Sequence, residues 1–246
     1  MYQSLKKIVQ KSIPKAFLMK NEVVFRKLYA NFYTGNSKEC NICNKKLSRF
    51  IINNKNESMC PKCGSLERDR RLWSLLTPNF IKENSKILDF SPSRSLARKL
   101  KSITNINYFP SDLSGHFLAD YQFDITKIEA KDATFDLICC YHILEHIEED
   151  SLAMNELFRV LKSDGILFIQ TPFKDGDTYE NEAITSEKDR LEHFGQEDHV
   201  RIYSENGLKE RLQQAGFTIE IKHFSEEDNN YFGFSKKETV FLATKS

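Results

Sequence analysis

The chain has 246 residues, of which 40% are apolar and 19 are Phe, and a formal net charge of +1. That is enough for one large domain plus a small module, and the balanced charge argues against a disordered chain or a broadly basic nucleic-acid binder. No stretch reaches the roughly 18 consecutive apolar residues of a membrane span, and lysines interrupt the opening MYQSLKKIVQKSIPKAFLMKN, unlike the core of a secretory signal.

Six cysteines in a chain without such a signal point to a reducing compartment and to metal or core roles. The expected location is cytoplasmic. Residues 1–37 read as a basic helical extension, with Lys6, Lys7, Lys11, Lys15, Lys20, Arg26 and Lys27 against the single acid Glu22. Apolar residues such as Leu5, Ile8, Phe17 and Phe25 are interleaved with them. Such a segment either packs as a solvated helix or lies on an anionic membrane face or a protein partner.

Residues 38–66 form the next module. Cys40 and Cys43 make one CxxC, and Cys60 and Cys63 a second, followed by Gly64. Each CxxC presents two thiolates from a tight turn, and two of them complete a tetrahedral sulfur set for structural Zn2+. Redox CxxC motifs usually open a helix in a βαβ unit, which is not the setting here. RFIINNKNESM between the knuckles predicts a short hairpin turning at Asn53 and Asn54. With four protein ligands the metal has no open position, so it should staple a ribbon and do no chemistry.

From residue 67 to 246 strands and helices alternate. SLERDRRLWSLL reads as a helix that Thr77-Pro78 interrupts; KILDF (86–90), INYFPSD (106–112), YQFDI (121–125), FDLICCY and GILFIQTPF read as strands. EEDSLAMNELFRVLKSDG predicts a helix stopped by Gly165, and SENGLKERLQQAGF one stopped by Gly216. FTIEIKHF and ETVFLAT are the last strands, with no room for a crossover helix between them, so they should pair antiparallel. The expected fold is α/β: a seven-stranded, mostly parallel, doubly wound sheet with an antiparallel last strand, preceded by a small zinc ribbon.

FDLICCYHILEHIEEDSLAMNELFRVLKSDGILFIQTPF resembles the strand-four to strand-five region of class I S-adenosylmethionine-dependent methyltransferases. CPKCGSLERDRR, ILDFSPSRSL and EHFGQEDHVRIYS are similar to a narrower zinc-knuckle group of these enzymes that accompanies bacterial surface-polysaccharide synthesis. The resemblance implies S-adenosylmethionine as cofactor and a sugar, glycan or other small-molecule hydroxyl as acceptor. It also implies that a glycine-free cofactor turn, FSPSRS, belongs to a known variant.

That turn offers Ser91, Ser93 and Arg94 at the start of a helix, where backbone amides and a guanidinium suit a carboxylate. Asp112, after the second strand, stands near the spacing at which an acid receives ribose hydroxyls. By resemblance, Asp89 orders the methionine end, Asp124 accepts the adenine amino group and Ile125 donates its amide to the ring. A turn or cap role for Asp89 and Asp124 is the ordinary alternative. Tyr141 and His142 follow strand four, and a long polar loop after strand five carries His199. A loop of that length inside a domain is expected to be an ordered lid. His199 and His142 are the candidate general bases. His142 and His146 also share the spacing of a metal-binding pair, but no third ligand is evident in the sequence. Two other readings remain: an RNA methyltransferase gripping its substrate with the ribbon, and a binding protein without catalysis.

Overall fold

The computed structural model describes residues 21–77, 79–115, 117–226 and 230–245. The chain divides into two compact units, one reaching to Ser74 and taking in Glu226–Ser235, the other made of Leu75–Ser225 and the residues from Lys236 onward. Most of the basic extension lies outside the described residues. Its described part opens with helix α1 (Glu22–Tyr29), where Arg26 and Glu22 pair at 2.8 Å one turn apart, continues in a 3-10 turn (Ala30–Tyr33) and is already strand from Thr34.

In the first unit, β1 (Thr34–Cys40) and β2 (Lys45–Leu47) form an antiparallel hairpin around CNIC. β3 (Ile51–Ile52) and β4 (Ser58–Met59) form the hairpin expected between the knuckles. Asn53 makes its turn, the side-chain oxygen accepting from the amides of Lys55 and Glu57 at 2.9 Å. α2 (Glu67–Leu76) follows and stops just before Thr77.

The second unit holds β5 (Lys86–Phe90), α3 (Arg94–Lys101), β6 (Asn107–Ser111), β7 (Phe135–Tyr141), α4 (Asp150–Val160) and β8 (Leu161–Gln170). It continues with β9 (Tyr179–Glu180), α5 (Glu187–Phe194), β10 (Arg201–Ile202), α6 (Glu205–Gln214), β11 (Phe217–Phe224) and β12 (Glu238–Lys245). The central sheet runs β6-β5-β7-β8-β12-β11. β5 is parallel to both β6 and β7, and β7 to β8, while β12 is antiparallel to β8 and β11. Leu88, Ile138, Leu167 and Phe241, buried in its strands, carry the core. The chain leaves β5 to one side for β6 and crosses to the other for β7, so the switch point lies at the carboxyl end of β5.

Two expectations are corrected. Among the described residues the sheet has six strands, not seven. YQFDI reaches the edge of β6 through a single parallel bridge, Tyr121 to Ser111. The segment then turns away because Asp124 accepts from both the amide and the hydroxyl of Thr126 at 2.8 and 2.7 Å, a local turn that competes with strand pairing. Secondly, the helix of RVLKSDG ends at Val160, and Gly165 lies inside β8. Phe135 pairs with Leu161 but Leu137 with Ile166, so the residues between bulge out of the ladder. A side chain at Gly165 would stand 2.8 Å from the Leu161 side chain and 3.1 Å from the Asp136 carbonyl, so close approach rather than helix termination selects glycine here. Gly216, at φ +102°, does close α6.

Candidate active site

The carboxyl ends of β5, β6 and β7 collect most of the expected residues. Ser91, the first residue past β5, adopts φ +43°. Its amide donates to the Ser111 carbonyl at 2.7 Å and its hydroxyl to Asp112 Oδ1 at 2.9 Å. The glycine-free turn thus uses a serine in the left-handed region that glycine usually fills, held there by two bonds to the end of β6. Ser93 caps α3, its Oγ accepting from the Leu96 amide at 3.3 Å and lying 3.1 Å from Ser95 Oγ. Arg94 is the first residue of that helix.

A β-branched residue tolerates this conformation poorly. Ser91→Val is therefore expected to lower the melting temperature by several degrees, while Ser91→Gly stays within about 1 kcal/mol of the parent. Thermal unfolding followed by circular dichroism compares the two, and equal losses would contradict the assigned backbone role.

Asp112 is 3% exposed and its carboxylate is surrounded by donors. Besides Ser91, the Ser114 hydroxyl lies 2.9 Å from Oδ2 and the Phe117 amide 3.3 Å from it. A donor shell of two hydroxyls and an amide is what two ribose hydroxyls would replace, so the residue fits the expected group, provided the loop carrying Ser114 and Phe117 yields its bonds. The cavity beside it, about 620 Å3, is lined by Asp112, Gly115, Tyr121 and Phe123.

Asp89 is buried and accepts from the Tyr108 hydroxyl at 2.8 Å. Burial, reinforced by Asp89, pushes the Tyr108 phenol far above its usual range, so it acts as a fixed donor. Asp124 is exposed and engaged in its turn, its carboxyl held below the usual range by Thr126. Ile125 is buried beside it, and the Phe123 amide donates to Ser111 Oγ at 2.8 Å, tying this segment to the end of β6. Tyr141 ends β7.

His142 follows with φ +55°, its amide donating to the Gln170 carbonyl at 2.7 Å. Its Nδ1 lies 3.2 Å from Glu145 Oε1. Glu145 is 1% exposed; burial alone would raise its carboxyl, but the His142 hydrogen bond and the nearby histidine charges outweigh this and hold it low. His199 is 2% exposed. Its Nδ1 donates to the Phe194 carbonyl at 3.2 Å, and burial, helped by His146, holds its pKa below that of a free imidazole. The His146 ring meets the His199 ring edge to face, centroids 4.6 Å apart.

The long loop is ordered. β9 and β10 pair within it, α5 lies between them, and its return is stitched to the turn after β7. The Val200 amide donates to the Glu145 carbonyl at 2.9 Å. Arg201 donates to the carbonyls of Leu144, Ile147 and Glu148 and pairs with Glu180 at 2.8 Å. Asp150 binds the Tyr203 hydroxyl at 2.5 Å and Arg211 at 2.6 Å. The sequence gives no periodic signal for this clamp, since its members come from four separate elements; only the density of Arg and acid in the loop hints at it.

The four cysteines meet in the first unit. Cys40 and Cys63 Sγ lie 3.6 Å apart and Cys43 and Cys60 Sγ 3.8 Å, with all four sulfurs within 4.8 Å of one another. Tetrahedral zinc with bonds of about 2.3 Å separates its sulfurs by roughly 3.8 Å, so the set fits such an ion. The two knuckles repeat one turn: the Asn44 amide donates to the Cys40 carbonyl and the Gly64 amide to the Cys60 carbonyl, with Asn44 and Gly64 at positive φ.

The family described as a methyltransferase domain matches residues 66–221. The chain belongs to this family of S-adenosylmethionine-dependent methyltransferases. Among solved structures it is similar to an S-adenosylmethionine-dependent methyltransferase from Archaeoglobus fulgidus (TM-score 0.51, 17% identity, 72% of this chain and 93% of that one). It is also similar to Haemonchus contortus phosphoethanolamine N-methyltransferase 2 solved with S-adenosyl-L-methionine (TM-score 0.52, 17% identity, 72% of this chain). The similarity spans 52% of that enzyme's chain. At these identities the likeness concerns the fold. A search of curated proteins found no match.

Proposed function

We propose that the chain transfers a methyl group to a hydroxyl of a sugar or glycan intermediate, with His142 taking the proton. The observation that carries this reading is the His142–Glu145 pair. The carboxylate engages Nδ1 and leaves Nε2, on a partly exposed ring at the carboxyl end of β7, to face an acceptor. S-adenosylmethionine, when bound, supplies a methyl on a sulfonium. Asp112 would take its ribose hydroxyls, the Ser91–Arg94 turn its methionine end, and Asp124 and Ile125 its adenine. The choice of a glycan acceptor rests on the zinc-knuckle resemblance of the sequence, zinc in the Cys40, Cys43, Cys60 and Cys63 set on the CxxC spacing and the converging sulfurs, and a cytoplasmic setting on the cysteine usage. No helix among the described residues is long and apolar enough to cross a membrane. Val23, Val24 and Leu28 are exposed on α1, which suits a basic segment resting on a membrane face or a protein partner.

Isothermal titration with S-adenosylhomocysteine tests the cofactor assignment. The zinc-replete chain should bind in the micromolar range and Asp112→Asn about 10- to 100-fold more weakly, the loss of one or two charge-assisted hydrogen bonds. Absence of binding by the folded chain would remove the catalytic reading. Methyl transfer to RNA rather than to nucleotide sugars or lipid-linked glycans would replace the acceptor.

A further inference from the structure

We propose that Glu145, His146 and His199 form a second metal site, for a first-row divalent ion such as zinc, with a coordination position open towards the acceptor. One ligand atom from each of the three lies within 4.8 Å of the other two. Two of these side chains are almost wholly buried, and each keeps a polar atom without a partner. Glu145 gives one oxygen to His142, while its Oε2 has no hydrogen bond; His199 uses Nδ1 on the Phe194 carbonyl, and its Nε2 has none. A buried acceptor left unpaired calls for an explanation, and two of them converging on a third ligand share one: a cation.

The surroundings of the histidines agree with this. A metal-ligating imidazole almost always donates its second ring N–H to a carbonyl or carboxylate, which fixes the tautomer and aims the other nitrogen. His199 does so to the Phe194 carbonyl. His146 Nδ1 lies 3.3 Å from the Asp198 carbonyl and 3.3 Å from its carboxylate. The loop brings His199 to the turn after β7, through the Val200 amide and the Arg201 fork. Two imidazoles and one carboxylate suit zinc and its neighbours better than magnesium, and three protein ligands are the pattern of sites that keep a position open.

The site adjoins His142 through their shared Glu145. An ion there would bind an acceptor oxygen and lower its pKa, and His142 Nε2 would receive the proton as the O–CH3 bond forms and the S–CH3 bond breaks. This second half rests on the proposed methyl transfer; the metal site does not.

Cobalt substitution of the full chain separates the two. After removal of native metal, cobalt should bind in two equivalents per chain. The equivalent held by the four cysteines shows intense thiolate charge-transfer absorption, and the other shows only weak visible bands. Glu145→Gln and, independently, His146→Asn should each lose the weak bands and one equivalent while keeping the thiolate bands and an unchanged far-ultraviolet spectrum. His146 is partly exposed, so its variant guards against a folding defect at the buried Glu145. A single equivalent in the parent, or two equivalents retained in both variants, would overturn the site. Two equivalents in a parent that fails to bind S-adenosylhomocysteine would keep the site and remove the methyl-transfer reading.

Discussion

Cys60→Ser is expected to lose the zinc proposed for the four-cysteine set and to unfold the first unit while the sheet of the second keeps its own transition. Its described residues hold few regular elements: two hairpins, one of them with two-residue strands, the short helix α1 and most of α2. Its buried apolar set is small, with Ile42, Leu47, Ile51 and Met59 among its members. A core of that size falls short of the entropy of ordering its loops, and a metal or a disulfide usually makes up the difference. Structural zinc binding in small modules carries about 10–16 kcal/mol of apparent free energy, as much as the roughly 5–15 kcal/mol that holds an entire domain. Loss of one of four thiolates therefore decides the folding of the unit. Native mass spectrometry should show one fewer zinc, and limited proteolysis should cut between residues 40 and 66 in the variant and in the parent treated with chelator. A variant that loses zinc yet keeps the protease resistance and melting profile of the parent would show that apolar packing alone sustains the unit.

The same contrast between local and distant causes explains what could be read from the sequence. The knuckles follow from spacing, the parallel strands from short apolar runs, and the stop at Gly216 from helix chemistry, all of them within a few residues. YQFDI has the alternation of a strand, but whether it pairs along the edge of β6 depends on how early Asp124 and Thr126 turn the chain. Gly165 has the signature of a helix stop, and the structure uses it for a close approach to Leu161 and Asp136 instead. The site shows the pattern again. Asp112 and the Ser91 turn lie on adjacent strand ends and were legible as a pair. Glu145 and His199 were not, because only the folded loop, held by Arg201 on the carbonyls of the turn after β7, puts them side by side.

Arg70 is the other residue whose weight comes from a distant segment, and Arg70→Met is expected to destabilise the first unit by about 3–5 kcal/mol. The side chain is 0% exposed. Its guanidinium lies over the Phe50 ring, 4.1 Å from the centroid, and donates to the carbonyls of Ser65 at 2.7 Å, Phe232 at 2.6 Å and Gly233, with further bonds to Ser58. One fork thus satisfies acceptors from the second knuckle, from β4 and from the loop between β11 and β12. Methionine keeps most of the volume but leaves those carbonyls buried without donors, which is the costly direction of such a change. Lysine keeps the charge but cannot reproduce a planar fork or its stacking, so Arg70→Lys should recover less than half of the loss. Gly233 makes the fit tight: at φ +64°, a side chain there would meet Phe50 at 2.3 Å. Arg68, two residues earlier, supplies the comparison, since it pairs with Glu57 at 2.5 Å but is 36% exposed; Arg68→Met should cost no more than about 1 kcal/mol. Urea unfolding of the three variants, with proteolysis near residues 226–235 as a local readout, orders them. Equal midpoints for Arg70→Met and Arg68→Met would mean that the loop is held by its aromatic contacts, Phe232 with Phe234 and Tyr231 among them, rather than by the buried guanidinium.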